Sequence, residues 1–385
     1  MRIAIVGSRG IPARYGGFET QVEHLAPRLA ARGHRVRVAC EGSKHPRAVQ
    51  FEGVHLVYFP LVPPQTYSLR MAYEFLNDLF FLTMLARDSD VIYCLGSSAG
   101  CAMFVPRVLS RTVKLVVNID GIEWKRGKFR RWIRAALKVN SGLAMVFANR
   151  IAIDSRSMAK YVLAKSSTKA SFAPNGVEIA RWPDTDVGTR LLMPLLPDGH
   201  SLDPNGYWLV LARLEPENNI GMVIDGYRES NSRRPLVIVG SFSSQQYERD
   251  ILSRAGRNNG VLFVGSQYDE SLINVLRKQA FGYIHGHSVG GTNPSLLEAM
   301  VAGNLILAHD NEFNRETCDG CAHFFGSAED LSDLMRRAEA EPRQHEEMKI
   351  AATKRVSQNN SWEVVVPVVE ALLTPDQARA DREDV

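Results

Sequence analysis

Short β-branched apolar runs that alternate with longer segments of helical period constrain this chain more than any other feature. A parallel strand is covered by helices on both faces, so it reads as a near-continuous apolar run whose partner lies one helix later. Runs of this kind occupy 2–7, 35–39, 54–59, 90–95, 114–119, 150–154 and 170–173. In the first helical segment Phe18, Val22, Leu25, Ala26 and Leu29 fall on one face, Pro27 is expected to bend it, and Gly33 stands past its end as a cap. The alternation stops at 181–206, where Pro183, Pro194, Pro197 and Pro204 mark a linker, and restarts at 207–212, 235–240, 261–265, 281–285 and 305–309. Two doubly wound, parallel-sheet α/β domains are expected, 1–180 and 207–361. A last apolar helix, 362–373, is expected to return to the first domain, and 374–385 form a polar tail.

Composition sets limits on function. No apolar run approaches the roughly 18 to 20 residues that cross a bilayer. The opening segment, Met1 to Gly7, lacks the pattern of a secretory signal, and five scattered cysteines do not form a disulfide framework. A cytoplasmic protein is expected. Charge is divided unevenly: residues 1–180 carry 26 Lys and Arg against 12 Asp and Glu, whereas 181–385 carry 20 against 30. An anionic partner for the first half follows. The densest block is 124–138, where Lys125, Arg126, Lys128, Arg130, Arg131, Arg134 and Lys138 interleave with Trp124, Phe129, Trp132, Ile133 and Leu137 and no acidic residue intervenes. Cations mixed with amphipathic aromatics suit an anionic membrane surface. Nothing else resembles a nucleic-acid module, and the plainer reading is a solvated helix face.

Three places in the sequence suit ligand chemistry. The first strand runs into Gly7-Ser8-Arg9-Gly10, then Gly16-Gly17-Phe18-Glu19 at a helix start, where glycines admit a ligand to the backbone and the helix N-terminus favours phosphate. The dinucleotide spacing Gly-x-Gly-x-x-Gly is absent, which disfavours an NAD oxidoreductase. The second place is sharper: His285 to Met300 reads as a strand end, a glycine loop and a helix with Asn293 as N-cap and Pro294 at its first position. Amides of Gly291, Thr292, Asn293 and Ser295 are candidate donors to a diphosphate, together with Gly290 in the loop, and Glu298 one turn in is a candidate acceptor from ribose hydroxyls. Third, Arg213 at the end of a strand is placed to grip a phosphate. A capped helix without ligand and an ion pair of Arg213 with Glu215 or Glu217 are the plainer readings.

Gly16-Gly17-x-Glu19, the downstream Arg32-Gly33-His34-x-Val36, Pro174-Asn175-Gly176-Val177, Arg213-Leu214 and Pro294-x-x-x-Glu298-Ala299 together resemble the retaining glycosyltransferases of the GT-B fold, family four type. The stretches 118–126 and 289–300 resemble the bacterial rhamnosyltransferase-like branch that builds cell-surface polysaccharide. The likeness covers nearly the whole chain. It implies two Rossmann-like domains facing across a cleft, a nucleoside-diphosphate sugar as donor, a saccharide acceptor, and no cofactor or metal; a lipid-diphosphate-linked acceptor would fit the basic stretch 124–138 of the first domain.

Two departures stand out against that family. Its usual pair of Glu eight residues apart has Glu298 as the second member but Gly290 in place of the first. The Lys that usually follows the phosphate-gripping Arg is replaced by Asn218 and Asn219. Asp120 occupies the place where many relatives carry a His near the reacting sugar, so Asp120 and Arg213 are the implied catalytic residues, with Trp124, Lys125, Arg126, Arg130 and Arg131 on the acceptor or membrane side. A nucleotide-sugar epimerase of the same architecture and a non-catalytic nucleotide-sugar binder remain as alternatives. Asp88-x-Asp90, Asp184-x-Asp186 and Cys318-x-x-Cys321 with His323 lack the context of metal sites.

Overall fold

The computed structural model describes residues 1–13, 16–43, 47–64, 66–119, 121–125, 129–179, 202–242, 244–256 and 260–374. They form two compact units. One comprises Met1–Trp124, Phe129–Gly176 and the chain from Trp362; the other comprises Val177–Ser361 with Lys125–Lys128.

The first unit holds β1 (Arg2–Val6), β2 (Arg35–Cys40), β3 (Gln50–Phe51), β4 (Val54–Tyr58), β5 (Val91–Leu95), β6 (Lys114–Asn118), β7 (Arg150–Ile153) and β8 (Ala170–Phe172). They make one sheet in the order β3-β4-β2-β1-β5-β6-β7-β8. Every expected run became a strand. The addition is β3, a two-residue antiparallel edge folded onto β4, too short to register as an apolar run. Its helices are α1 (Gly17–Ala31), α2 (Tyr67–Leu85), α3 (Val105–Leu109) and α4 (Arg131–Phe147). Val22, Leu25, Ala26 and Leu29 of α1 are buried, as their spacing requires, and the helix continues past Pro27 to Ala31. Gly33, at φ 90°, then donates to the Ala30 carbonyl and His34 to that of Leu29, which closes α1 through a left-handed residue that a side chain would strain.

The C-terminal helix Trp362–Leu373 completes this unit's core. Val365, Val366, Val369, Leu372 and Leu373 are buried with Ile3, Val22, Leu25 and Val36. Glu370 accepts from Arg32 (2.8 Å) and lies 2.7 Å from His34 Nε2, which clips the helix to the end of α1. Its last carbonyls, orphaned by the end of the helix, accept from Arg150 (2.9 Å to Ala371 and to Leu372), and Lys114 reaches Thr374 at 2.8 Å. Trp362 stacks on His24 with centroids 5.5 Å apart and lies under the Arg28 guanidinium; a Cβ on Gly176 would overlap its ring.

The second unit holds β9 (Trp208–Leu211), β10 (Leu236–Val239), β11 (Val261–Gly265), β12 (Gly282–His285), β13 (Leu305–His309) and β14 (His323–Phe325), all parallel, in the order β11-β10-β9-β12-β13-β14. Its helices are α5 (Ile220–Ser230), α6 (Gln245–Ala255), α7 (Glu270–Lys278), α8 (Pro294–Val301), α9 (Glu312–Cys318), α10 (Ala328–Ala340) and α11 (Glu346–Asn359). The period of two in a strand sends neighbours to opposite faces. Leu209, Val237, Tyr283 and Ile306 pack with α7, α8 and α11, whereas Trp208, Val210, Leu236, Ile284 and Leu305 pack with α5, α6 and α10. β14 was not anticipated, because His323-Phe324-Phe325 is only three residues and opens on a His.

Replacing Trp362 by Ala removes a ring that is 3% exposed from the first unit's core. The expected cost is about 3–5 kcal/mol, read as a lowered urea midpoint at unchanged slope.

Candidate functional site

In an open parallel sheet ligands bind outside the carboxyl ends of the strands, where the order reverses direction. In the second unit that point lies between β9 and β12, so the loop after β9, with Arg213, and the loop after β12, with Gly286 to Asn293, share one edge. The two loops are stitched together. Asn218 Nδ2 donates to the Arg213 carbonyl (2.6 Å), and Asn219 Nδ2 donates to the Gly286 carbonyl (2.9 Å). The amide and hydroxyl of Ser288 both donate to the Glu217 carbonyl, at 3.0 and 2.8 Å. A Cβ on Gly286 would overlap the Asn218 carbonyl oxygen, so only glycine allows this approach. From the other side Asn311 and Asn314 hold the His287 carbonyl at 2.9 and 3.0 Å. The asparagines that stand where the family carries Lys are therefore tethers, a role the sequence alone did not suggest.

The start of α8 is built as its sequence requires. Asn293 Oδ1 accepts from the Ser295 amide (3.0 Å) and hydroxyl (2.8 Å), and Pro294 takes the first helical position. This corrects one expectation: the Ser295 amide is not a free donor, because the cap uses it. Tyr283 Oη, buried beneath, lies 3.1 Å from Ser295 Oγ and 3.0 Å from the Leu211 carbonyl, linking the cap to the end of β9. Among the described residues the amides of Gly290 and Gly291 have no acceptor, whereas Thr292 is engaged within the fold. Gly290 sits at φ 128° with no atom within 4 Å of where a Cβ would be, so the tip of the loop is open.

Arg213 and Glu298 are the charged residues that the sequence singled out at this edge. Arg213 keeps 42% of its side chain exposed and lies 3.8 Å from Glu215, itself almost buried. The ion pair expected of a plain surface Arg is therefore present, yet the guanidinium retains open donors, since one long contact occupies a single nitrogen of its fork. Glu298 is gripped by Arg277, whose side chain is almost fully buried, while 27% of the Glu298 side chain remains exposed. Sequence reasoning missed Arg277: it lies in the last turn of α7, 21 residues before Glu298, and nothing in that spacing pairs them.

His285, at the end of β12, is fully buried and stacks on His287 with ring centroids 4.3 Å apart and planes 11° apart. Neither ring nitrogen of His285 has a partner among the described residues. Burial above all, then His287 and His309, push its pKa well below the ordinary 6.5. The folded chain thus carries this imidazole neutral.

In the first unit Gly16 is the N-cap of α1 at φ 118°, and Gly17 is its first residue. The carboxylate of Glu19 folds back to accept from the Arg9 amide at 2.9 Å, and a Cβ on Gly16 would overlap it. This helix start already holds an anion, which accounts for Gly16 without a ligand. Asp120 and Arg126 lie outside the described residues; the neighbouring Asn118, at the buried end of β6, donates to Tyr93 Oη at 3.3 Å. Half-buried Trp124 accepts from Arg134 through its carbonyl at 2.6 Å, Lys125 is exposed and belongs with the second unit, and exposed Arg130 and Arg131 open α4. Asp88 and Asp90 pair with Arg2, and Cys318 and Cys321 are free thiols. Among the described residues no group of three His, Cys, Asp or Glu could hold a metal, and no helix is long and apolar enough to cross a membrane.

The buried imidazole sets a pH dependence. Because its folded pKa is depressed, the unfolded chain takes up a proton first as pH falls below about 6.5, so stability declines with acidification through that window. His309, His323 and His345, also lowered by burial, act in the same sense. Chemical denaturation between about pH 7 and 5 should show a falling midpoint, and His285→Phe should flatten part of that slope.

Comparison with known proteins bears on the fold. Residues 1–178 match a family model described as a domain of unknown function (DUF1972), and residues 200–355 match the model for glycosyl transferases group 1. No curated protein matches the chain. Among solved structures, sucrose-phosphate synthase from Thermosynechococcus elongatus is 15% identical with a TM-score of 0.79, over 96% of this chain and 98% of that one. HepE from Anabaena, in complex with UDP and glucose, is 18% identical with a TM-score of 0.77, over 97% and 100%. The catalytic domain of starch synthase IV from Arabidopsis thaliana, bound to ADP and acarbose, is 16% identical with a TM-score of 0.71, over 97% and 98%. At such identities the likeness speaks to fold, and the fold is GT-B, two parallel-sheet α/β domains. The fold is therefore GT-B, residues 200–355 are similar to the glycosyl transferases group 1, and the model that matches residues 1–178 names no activity.

Proposed function

We propose that this protein transfers a hexosyl group, of rhamnose type, from a nucleoside-diphosphate sugar to a lipid-linked saccharide acceptor in the biosynthesis of a surface polysaccharide. One observation carries the reading: open main-chain donors at Gly290 and Gly291, next to the N-terminus of α8, share the switch-point edge of a parallel sheet with Arg213. Such an edge suits the negative charge that grows on a departing diphosphate. On this reading Arg213 and the 290–293 loop stabilise the leaving group without a metal, Glu298 meets the ribose, and Asp120 orients the acceptor hydroxyl or takes its proton. The anomeric configuration is retained, as in the family the sequence resembles. The UDP-glucose bound to HepE and the ADP bound to starch synthase IV are of the same ligand class and support a nucleoside-diphosphate donor.

The acceptor side of the reading rests on α4. Its outer face divides into sectors: Trp132, Ala135, Ala136 and Val139 form one exposed apolar strip, with Trp132 68% and Val139 63% exposed. Arg131 and Lys138, also exposed, line one flank. Cations at the start of a helix oppose its dipole. Arg130 and Arg131 stand there with no acidic residue in the first turn, an arrangement that an anionic lipid surface would relieve.

Incubation of the full chain with a panel of nucleotide sugars and lipid-diphosphate saccharides should release nucleoside diphosphate only when an acceptor is present. Conversion of the donor without acceptor would mean epimerisation, and binding without conversion a non-catalytic partner. Arg213→Ala should lower kcat by about a hundred-fold or more, the scale seen on removing one donor to a developing anion. In sedimentation with vesicles, the chain should follow phosphatidylglycerol and not phosphatidylcholine. Arg130→Glu with Arg131→Glu should release it, at about 1 kcal/mol per basic residue lost.

A further inference from the structure

We infer that Arg277 is a positioning residue for nucleotide recognition: it holds one carboxylate oxygen of Glu298 so that the other faces the ribose hydroxyls of a nucleoside diphosphate. This rests on the reading of Glu298 as the ribose contact. The Arg277 side chain is 6% exposed, and its Nη2 donates to Glu298 Oε2, while Nη1 lies 3.4 Å from Asn274 Oδ1. Its backbone is fixed too, since Asn304 Nδ2 donates to the Arg277 carbonyl at 2.6 Å. The residue therefore has little freedom, and neither does the oxygen it grips. Glu298 Oε1 has no partner among the described residues and belongs to a side chain that is still 27% exposed.

The pair is poorly explained as a stability device. A buried Arg–carboxylate pair often does no better than an apolar pair of the same volume, because desolvation offsets the attraction. It does two things for an anion site that an apolar pair cannot. It orders a flexible carboxylate before the ligand arrives, which lowers the entropy lost on binding. It also sets a permanent cation against the one carboxylate that projects from the first turns of α8, since a guanidinium does not deprotonate. A diphosphate at the loop tip then meets a neutralised Glu298. In this chain that matters more than usual, because Asn218 and Asn219 supply no cation on the facing loop.

The test compares the affinity of the full chain for ADP, GDP and UDP with that for their 2′,3′-dideoxy counterparts, by titration calorimetry. A carboxylate that accepts from ribose hydroxyls should favour the hydroxylated ligand by about ten-fold or more. In Arg277→Met the preference should collapse toward one, with the weak residual binding of the diphosphate retained. Arg277→Lys, which keeps charge in the same place without the planar fork, should keep the fold and recover part of the preference. In Arg277→Met combined with Glu298→Ala, little further loss is expected. A Met or Lys variant that melts like the parent and keeps the full ribose preference overturns the inference and leaves the reading of Glu298 intact. If the parent chain binds these nucleotides without any ribose preference, the reading of Glu298 and this inference fall together.

Discussion

The second unit depends on one close approach: the backbone at Gly286 passing against the carbonyl of Asn218. Parallel strands diverge at a switch point, and the loops leaving β9 and β12 would otherwise splay apart. Asn219, held at φ 53°, turns its side chain onto Gly286, and Asn218 turns back onto Arg213, so two consecutive residues fasten both loops. Neutral amides do this better than lysine would, because an amide offers both donors and an acceptor at a fixed short reach. Two neutral amides at this edge thus hold open a loop rich in glycine. Tyr283 extends the same logic downward, joining the end of β9 to the cap of α8, so strand, loop and helix start form one hydrogen-bonded unit.

In the first unit the corresponding closure comes from far along the chain. The sheet and α1 alone would leave Val22, Leu25 and Val36 without part of their cover. The helix Trp362–Leu373 supplies that cover, and its C-terminal end is fixed by opposite means, an acid side chain at Glu370 and orphan carbonyls at Ala371 and Leu372. Trp362 packs over Gly176, so the residue that enters this core and the residue that leaves it touch.

The sequence showed the fold well where burial is two-sided. β5, β6 and β12 are buried along their whole length and read directly as apolar runs, whereas β3 and β14, short and at sheet edges, carry too few residues to show a period. At the site the local chemistry was legible: Asn293, Pro294 and the glycines before them act within one turn of each other, and caps are short-range. What the chain did not disclose were contacts made across elements. Arg277 reaches Glu298 from another helix, Tyr283 reaches Ser295 through the core, and the tethering of Asn218 and Asn219 requires knowing which strands are neighbours. The Ser295 amide shows the opposite error, in which a donor counted as free was spent by the cap that made the helix recognisable.

Net charge gives a misleading account of the edge proposed to hold an anion. The chain after residue 180 is rich in acid, with 30 Asp and Glu against 20 Lys and Arg, and on that measure should repel a diphosphate. At the edge itself the balance is different. Glu298 is gripped by Arg277, Glu215 lies 3.8 Å from Arg213, and the donors at the loop tip are amides that carry no net charge. Distant surface acids are screened over about 8 Å at physiological salt, whereas oriented amides and a helix terminus act at contact distance. Short range therefore wins at the edge, and excess acid elsewhere on the unit is compatible with an anion bound there. The first unit is the reverse case: its excess of cations is spread over the whole of residues 1–180, and where two of them, Arg130 and Arg131, open α4, the helix dipole adds positive charge to theirs with no acidic residue in the first turn to offset it.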